Sequence, residues 1–290
     1  MQFMGSILDR EEYVEQGYFF RILRERLLDN RPTQETLDSI GEEILSITRL
    51  PYAIDFLAAE LRHTGILSSG FNRLTHYFTP FQGFIIRQSE DDKRRFNIET
   101  ALLVLEREAE YRAGAISPQG LFVYQFETIS RNRLSYVEGI DAMKQDPIYQ
   151  EDWRVFLTAL QKQIGIIDFA ELLYLRSDLH IAEQKRKMEN YQPPLLPLFG
   201  EKEGKIAKAN RGRDPLYLFA ALQRQLGYPK VPRPKAPEDI TNKFEMIKAK
   251  IRELEARLKL VEGEQHGKID LSEFMFKPGE IPEFQDEEDI

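Results

Sequence analysis

Helix-start signals recur along most of this chain, and they constrain its fold more than any other feature. Between Asp9 and Lys187 a short polar residue or a proline precedes each apolar stretch of helical spacing, and the alternation typical of strands is scarce. The predicted starts are Asp9 with Glu12, Thr33, Pro51, Thr79 with Gln82, Asn97, Ser117, Ser135 with Glu138, and Asp168 with Glu171. The connections between them are short. The sequence therefore predicts an all-α protein, either a compact multi-helix bundle or an irregular helical array.

One stretch within this region has the composition of a strand. Phe122 to Phe126 combines aromatic and β-branched residues, but it follows a Ser-Pro helix start and continues without a turn signal. We therefore predict a buried helix there. Trp153 is the only tryptophan of the chain, and we expect it to anchor the core.

Residues 238–262 follow a heptad pattern. Alternating steps of four and three place seven apolar residues on one face of a helix, over about three heptads. These residues, called the interaction seam below, are Ile240, Phe244, Ile247, Ile251, Leu254, Leu258 and Val261. A helix of this length is marginally stable alone. The seam must therefore be buried against a second copy of the chain, another protein, or the body of the same chain, and the sequence leaves all three open.

The charges beside the seam permit a parallel homodimer without specifying it. In heptad register Lys250 would face Glu255 of the second copy, and Arg257 would face Glu262. A third pairing, Lys243 with Lys248, would be repulsive. Exposed pairs contribute only about 0–1 kcal/mol each. Phe244 also fits a tight two-stranded seam poorly.

The net charge of −8 combines two segments of opposite sign. Residues 184–235 carry a net charge of +8, and residues 262–290 carry a net charge of −8. The basic residues, called the basic arm below, include Lys185, Arg186, Lys187, Lys202, Lys205, Lys208, Arg211 and Arg213. They could neutralise the phosphates of a nucleic acid such as RNA. Few aromatic residues accompany them for base stacking, so attraction between arm and tail, or binding of protein partners, is favoured.

Composition divides the chain into four parts. We predict a helical body over residues 1–187 and a basic segment rich in Pro and Gly over 188–237, which carries Lys202 to Arg213 of the basic arm and one helix at 214–227. The heptad helix over 238–262 and a disordered acidic tail over 263–290 follow. Within the arm, Pro193 to Phe199 is either a loop that covers the body or a docking segment. In the tail, Phe274, Met275 and Phe276 are candidate anchors for a partner.

No recognised catalytic motif is present. The chain lacks a phosphate-binding glycine loop, a nucleophile elbow and a His-Glu-x-x-His pair, and it has no cysteine. Glu60 and His63 have the spacing of a di-iron ligand pair, but the pair occurs once. Residues 106–112 contain three glutamates and two arginines, from which we expect a solvated charged face. We therefore predict no catalytic residue, metal or cofactor, although an enzyme or metal-binding bundle without a recognisable motif stays open as the second alternative.

These patterns together favour a scaffold or adaptor that acts through protein–protein interaction, with RNA binding by the basic arm as the alternative. No apolar run approaches the roughly 20 residues that span a bilayer. The first ten residues lack the features of a secretory signal. We therefore expect a cytoplasmic protein that does not bind membranes.

Overall fold

The computed structural model describes residues 8–44, 47–91, 96–188, 190–234 and 248–258. These residues contain fourteen helices and no strand, which confirms the all-α prediction. The chain forms two compact units, Met1–Pro234 and Lys235–Ile290. The first unit contains α1 (Arg10–Leu28), α2 (Thr33–Glu43), α3 (Leu50–Thr64), α4 (Leu67–Arg73), α5 (Pro80–Ser89), α6 (Ile98–Ala113), α7 (Pro118–Arg131), α8 (Tyr136–Lys144), α9 (Glu151–Gln163), α10 (Phe169–Leu175), α11 (Asp178–Lys187), α12 (Glu201–Ala209) and α13 (Pro215–Leu226). In the second unit, residues 248–258 are helical.

Most of the predicted helix starts are confirmed by their hydrogen bonds. At α5, the Thr79 side chain accepts from the Gln82 backbone at 3.4 Å, and the Gln82 side chain accepts from the Thr79 backbone at 3.0 Å. Asn97 accepts from the first turn of α6 in the same way. Gly65 ends α3 with φ of 73°, a left-handed conformation that glycine adopts without strain.

The predicted capping box at Asp9 and Glu12 is wrong. α1 does begin at Arg10, but the Asp9 side chain forms no capping hydrogen bond. Glu12 is buried and accepts instead from the Arg49 backbone at 2.9 Å and from the Tyr77 hydroxyl at 2.8 Å. The Glu12 carboxylate therefore forms tertiary hydrogen bonds instead of the local capping hydrogen bond.

The first half of the unit packs around the contact between α1 and α6, which is its most extensive helix pair. Phe19, Phe20 and Leu23 of α1 are fully buried, and the Phe20 ring stacks on Phe71 of α4, with ring centroids 6.4 Å apart. α2 packs on α3, α3 on α4, and α4 on α5, so successive helices cover one another along the chain. This succession explains why short connections suffice.

α7 lies at the centre of the second half. Every residue from Gly120 to Ile129 is buried, which confirms the predicted buried helix at Phe122 to Phe126. Phe122 contacts Trp153, with ring centroids 5.3 Å apart, and also contacts Phe199 at 6.0 Å. Trp153 is buried, as predicted for a core anchor.

The segment that leads into α12 covers the body. The Leu198 and Phe199 amides donate to the Arg176 carbonyl at 2.8 and 3.1 Å, and both side chains are buried. Leu195 and Leu196 of the same segment are exposed. The covering-loop interpretation of Pro193 to Phe199 therefore describes its end, and the two leucines before it remain in solvent.

α12 and α13 belong to the same compact unit. α12 packs on α10, and α13 packs on α7. After α13 ends at Gly227, Tyr228 and Val231 are buried, and the Tyr228 hydroxyl donates to the Glu127 side chain at 2.6 Å. These contacts attach residues 227–234 to α7. None of the described helices has both the length and the apolar content that crossing a membrane requires.

Candidate interaction surfaces

The described part of the heptad helix, residues 248–258, carries three of the seam residues. Ile251, Leu254 and Leu258 are each between 50% and 60% exposed, and steps of three and four place them on one side of the helix. The other four seam residues, Ile240, Phe244, Ile247 and Val261, lie outside the described residues, as do the tail anchors Phe274, Met275 and Phe276.

One ion pair within this helix engages Arg257, which flanks the seam. Arg257 contacts Glu253 one turn earlier, at 2.7 Å. Within residues 248–258, Lys250 and Glu255, which flank the seam, form no ion pair.

The structure brings the basic arm together on α11, α12 and the loop that follows. Lys185, Arg186 and Lys187 form the last turn of α11, where cations are favoured by the negative end of the helix dipole. α12 packs on α11 and carries Lys202, Lys205 and Lys208, and Arg211 and Arg213 lie between α12 and α13. The eight cations therefore share one region of the surface.

Three of these cations are engaged by carboxylates of the same region. Lys205 contacts Glu201 at 2.6 Å, and Lys208 contacts Glu183 at 2.8 Å. Arg211 pairs with the Glu171 side chain. The other five form no ion pair within the described part of the chain. The region thus retains an excess of positive charge and already has geometry that suits carboxylates.

Tyr174 is the aromatic residue at the centre of this region, and both its ring and its hydroxyl are engaged. The Arg211 guanidinium lies 3.8 Å from the ring centroid, and the His180 ring approaches it edge-on at 5.0 Å. The hydroxyl donates to Glu183 at 2.7 Å. Burial and then the hydrogen bond to Glu183 raise the pKa of Tyr174. Because base stacking needs an open aromatic face, Tyr174 is a poor platform for single-stranded RNA.

A second surface, which the sequence did not reveal, is an apolar groove of about 160 Å³. It lies where α7, α9, α10 and the first turns of α8 and α13 meet. Its lining consists of Phe126, Ser130, Tyr136, Leu160, Ile164, Gly165, Ile167, Phe169, Leu172, Pro215 and Phe219. Five separate parts of the chain contribute to it, so no local pattern in the sequence could have predicted it.

Exposed apolar side chains adjoin this groove. Ile166 is 80% exposed and stands between the lining residues Gly165 and Ile167. Tyr217 is 66% exposed and Leu216 is also exposed, directly after the lining residue Pro215. Single exposed apolar residues are common on proteins, but several beside an apolar groove indicate a binding surface.

The most polar part of the core is a buried charge cluster on α6. Arg112 donates to Glu108 Oε1 from Nε at 2.9 Å and from Nη2 at 2.7 Å, and it also pairs with Asp146. Gln125 donates to the same Glu108 oxygen at 3.2 Å. Glu108 and Asp146 are completely buried. The expected solvated face of residues 106–112 is therefore wrong for Glu106, Glu108 and Arg112, which neighbouring helices enclose, whereas Arg107 and Glu110 are exposed.

Burial raises the pKa of Glu108, and the negative charge of Asp146 raises it further. The positive charge of Arg112 acts in the opposite direction but does not cancel the rise. Glu108 Oε2 is buried without a hydrogen-bond partner among the described residues. Oε1 already accepts from two side chains, so a proton on Glu108 belongs on Oε2. When Glu108 is protonated, the cluster holds one guanidinium and one carboxylate, so its charges balance. A neutral, enclosed cluster of this kind supports packing.

Glu60 and His63 do not come together as ligands. Glu60 accepts from Ser69 at 2.8 Å and pairs with Arg73, whereas His63 is exposed. No group of three or more His, Asp or Glu side chains within the described ranges could hold a metal ion. The known proteins add no further assignment, since no protein-family model matches this chain and neither the curated proteins nor the solved structures give a match.

Proposed function

We propose that this chain is a self-pairing scaffold, in which the heptad helices of two copies form a parallel coiled coil. The observation that carries the proposal is the apolar face of Ile251, Leu254 and Leu258, which is half-exposed on the described helix. An isolated helix of this length is marginal in water. Burial of this face against a second copy would stabilise both the helix and the pair.

A second copy supplies a matching surface at every seam position. The heptad spacing continues in the sequence from Ile240 to Val261, beyond both ends of the described helix. Parallel pairing would set Lys250 against Glu255 of the second copy, and neither side chain has an ion-pair partner within residues 248–258. Self-pairing thus uses both the apolar face and the charges beside it.

Such a pair would present two identical bodies to other molecules. Joining two binding surfaces raises the overall affinity for a repeated partner without any new contact, because the second binding event becomes intramolecular. The absence of a recognised catalytic motif in the sequence agrees with this role. RNA binding through the basic arm stays a prediction, to which the engaged Tyr174 lends no support.

The mass of the full chain in solution tests this proposal. Light scattering should give twice the mass of one chain for the wild type. The variant Ile251→Ser/Leu254→Ser/Leu258→Ser should give the mass of one chain, because it removes the apolar face that pairing buries. A wild type that stays monomeric at about 100 µM would contradict self-pairing.

A matched control separates pairing from helix stability. Ala249, Arg252 and Ala256 lie on the opposite side of the same helix in heptad register. Ala249→Ser/Arg252→Ser/Ala256→Ser adds the same three serines, whose helix propensity is lower than that of alanine. This variant should remain dimeric. Equal loss of pairing in the two triple variants would mean that the seam is not the contact.

A further inference from the structure

Residues 228–234, called the proline ribbon below, have a backbone that their own sequence restricts. Pro229, Pro232 and Pro234 fix their φ angles at about −65°, and the residue before each proline is confined to extended conformations. Of the ribbon residues, Lys230 alone is under neither restriction. No helical turn or strand pair forms within the ribbon. The ribbon is therefore extended and loses little conformational entropy when it binds.

Burial repeats every three residues along the proline ribbon. Tyr228 and Val231 are 2% and 4% exposed, so this edge packs on the body. A polyproline II helix has three residues per turn and therefore three edges. The other two edges are exposed or partly exposed and carry one pair of prolines and one pair of cations: Pro229 with Pro232, and Lys230 with Arg233.

Hydrogen bonds hold the ribbon on the body. The Tyr228 hydroxyl contacts the Glu127 side chain at 2.6 Å and the Phe219 carbonyl at 3.0 Å. The Asn132 side chain donates to the Pro232 carbonyl at 3.3 Å. No backbone amide of the ribbon donates to a backbone carbonyl among the described residues. The proline edge and the cationic edge are thus presented to solvent from a fixed base.

The ionised groups around the ribbon are mostly positive. Residues 128–134 and 219–234 contain no carboxylate and five cations: Arg131, Arg133, Arg224, Lys230 and Arg233. Two carboxylates adjoin these segments, since Glu127 pairs with Arg131 and Glu203 accepts from the last turn of α13 at 3.0 Å. On α6, Arg107 and Glu110 carry opposite charges near Tyr124. Cations therefore outnumber carboxylates here, even though both carboxylates keep their charge.

We propose that the proline ribbon docks into a groove of a partner protein that is lined by aromatic side chains and bordered by carboxylates. Aromatic grooves bind prolines that recur every three residues on a preformed polyproline II helix. Pro229 and Pro232 have this spacing. Lys230 and Arg233 form no ion pair within the described part of the chain and would meet the carboxylates. The inference concerns the first unit and does not depend on self-pairing by the heptad helix.

A nucleic acid would be attracted by the same cations, but the ribbon offers no surface for base stacking. The aromatic residues within and beside it, Tyr124, Phe219 and Tyr228, are buried. The exposed Tyr217 lies in the first turn of α13, about 15 Å from Gly227 along the helix axis. Binding of single strands relies on open aromatic faces beside the cations. The prolines that stand there instead favour a protein groove.

Biolayer interferometry with the full chain tests the proposal. The probes are purified SH3 and WW domains, which bind proline-rich segments in aromatic-lined grooves. One set has carboxylates beside the groove, and a second set has lysines there. The first set should include saturable binders with Kd values of about 1–100 µM. The second set should bind at least about tenfold more weakly, and salt raised from about 0.05 to 0.5 M should weaken binding by the first set.

Two variants with equal loss of charge locate the site. Lys230→Gln/Arg233→Gln should weaken binding about tenfold. It leaves the buried edge of the ribbon intact, so its stability in urea should equal that of the wild type. Arg186→Gln/Lys202→Gln removes the same charge from exposed residues of the basic arm and should change the affinity less than about twofold.

A second pair of variants tests the proline edge. Pro229→Ala/Pro232→Ala should weaken binding about tenfold, because it removes the two rings that enter the groove. Pro193→Ala/Pro194→Ala removes two prolines from the segment before α12 and should change the affinity less than about twofold.

Four outcomes would overturn the proposal. These are no saturable binding of any SH3 or WW domain up to about 1 mM, equal affinity of the two glutamine variants, wild-type affinity of Pro229→Ala/Pro232→Ala, and tighter binding of a single-stranded RNA that Lys230→Gln/Arg233→Gln abolishes. The last result would make the ribbon a nucleic-acid contact. Failure of the ribbon and failure of the seam are distinguishable, because Ile251→Ser/Leu254→Ser/Leu258→Ser should still bind the domains.

Discussion

Arg112 donates from two nitrogens to one oxygen of Glu108, and the other oxygen of that carboxyl group is buried with no hydrogen-bond partner among the described residues. Both hydrogen bonds from Arg112 therefore fall on Oε1 of Glu108, and Oε2 receives none. It links α6 to Gln125 of α7 and to Asp146, which follows α8. The protonation of Glu108 should therefore affect the stability of the whole first unit.

The stability contributed by Glu108 should fall as pH rises. Burial raises its pKa above the ordinary value of 4.5, so the folded chain keeps a proton that the unfolded chain has lost. This contribution to the free energy of unfolding is complete below about pH 4.5 and is lost as pH rises through the folded-state pKa. Glu108→Gln stays neutral at every pH. Its stability relative to wild type, measured by urea unfolding, should increase from pH 5 to pH 8, and a constant difference would contradict the raised pKa.

Removal of Arg112 should be among the most damaging single changes. Arg112→Met leaves Asp146 as an uncompensated buried charge, which costs about 3–5 kcal/mol. Adding Asp146→Asn to that variant removes the charge and keeps the side-chain oxygen that accepts from the Ile148 amide. Urea unfolding of both variants should show that the double variant is the more stable. If it is the less stable, charge compensation is not what Arg112 provides.

The hydroxyl of Tyr228 should account for much of the attachment of residues 227–234. It contacts Glu127 at 2.6 Å and the Phe219 carbonyl at 3.0 Å, and burial followed by Glu127 raises its pKa well above the usual range. Tyr228→Phe removes this donor and should lower the free energy of unfolding by about 1–3 kcal/mol. Tyr217→Phe, at an exposed tyrosine, should leave stability unchanged. Similar effects in the two variants would argue against a specific role for the buried hydroxyl.

Two glycines should respond to alanine in opposite directions. A Cβ on Gly204 would lie 2.5 Å from Ser177 Oγ and 2.8 Å from Leu179 Cβ, so the close contact between α11 and α12 requires glycine. A Cβ on Gly41 would meet its nearest neighbour at an ordinary 3.6 Å. We expect Gly204→Ala to destabilise by about 1–3 kcal/mol and Gly41→Ala to stabilise α2 by about 0.5–1 kcal/mol. Thermal unfolding of the two variants checks the signs, and a stabilising Gly204→Ala would contradict the close packing.

Local chemistry allowed much of the helical architecture to be predicted. Thr79, Asn97 and Ser117 cap helices where the sequence places them, because each satisfies amide donors within its own first turn. Glu12 differs, since Arg49 and Tyr77 compete for its carboxylate from distant positions. Local hydrogen bonding can be inferred from neighbouring residues, whereas a tertiary competitor cannot.

The candidate surfaces likewise divide into one that a local sequence pattern indicates and others that depend on tertiary contacts. The seam could be proposed from the sequence because heptad spacing is a property of one continuous segment, and it stays a prediction. The burial of Glu108 and Arg112 was not, because a pair four residues apart looks the same on an exposed helix and an enclosed one. The apolar groove could not be inferred either, since it requires Phe126, Ile167 and Phe219 from three distant segments to meet.

The measurement that tests self-pairing most directly is disulfide formation at the seam. The chain has no cysteine, so Leu254→Cys introduces a single thiol. In a parallel, in-register pair the two copies of this position face each other, within reach of a disulfide. Under mild oxidation, we predict a covalent dimer for Leu254→Cys and little dimer for the outward-facing control Ala256→Cys. Leu254→Cys that remains monomeric, or that dimerises no more than Ala256→Cys, would contradict the parallel seam.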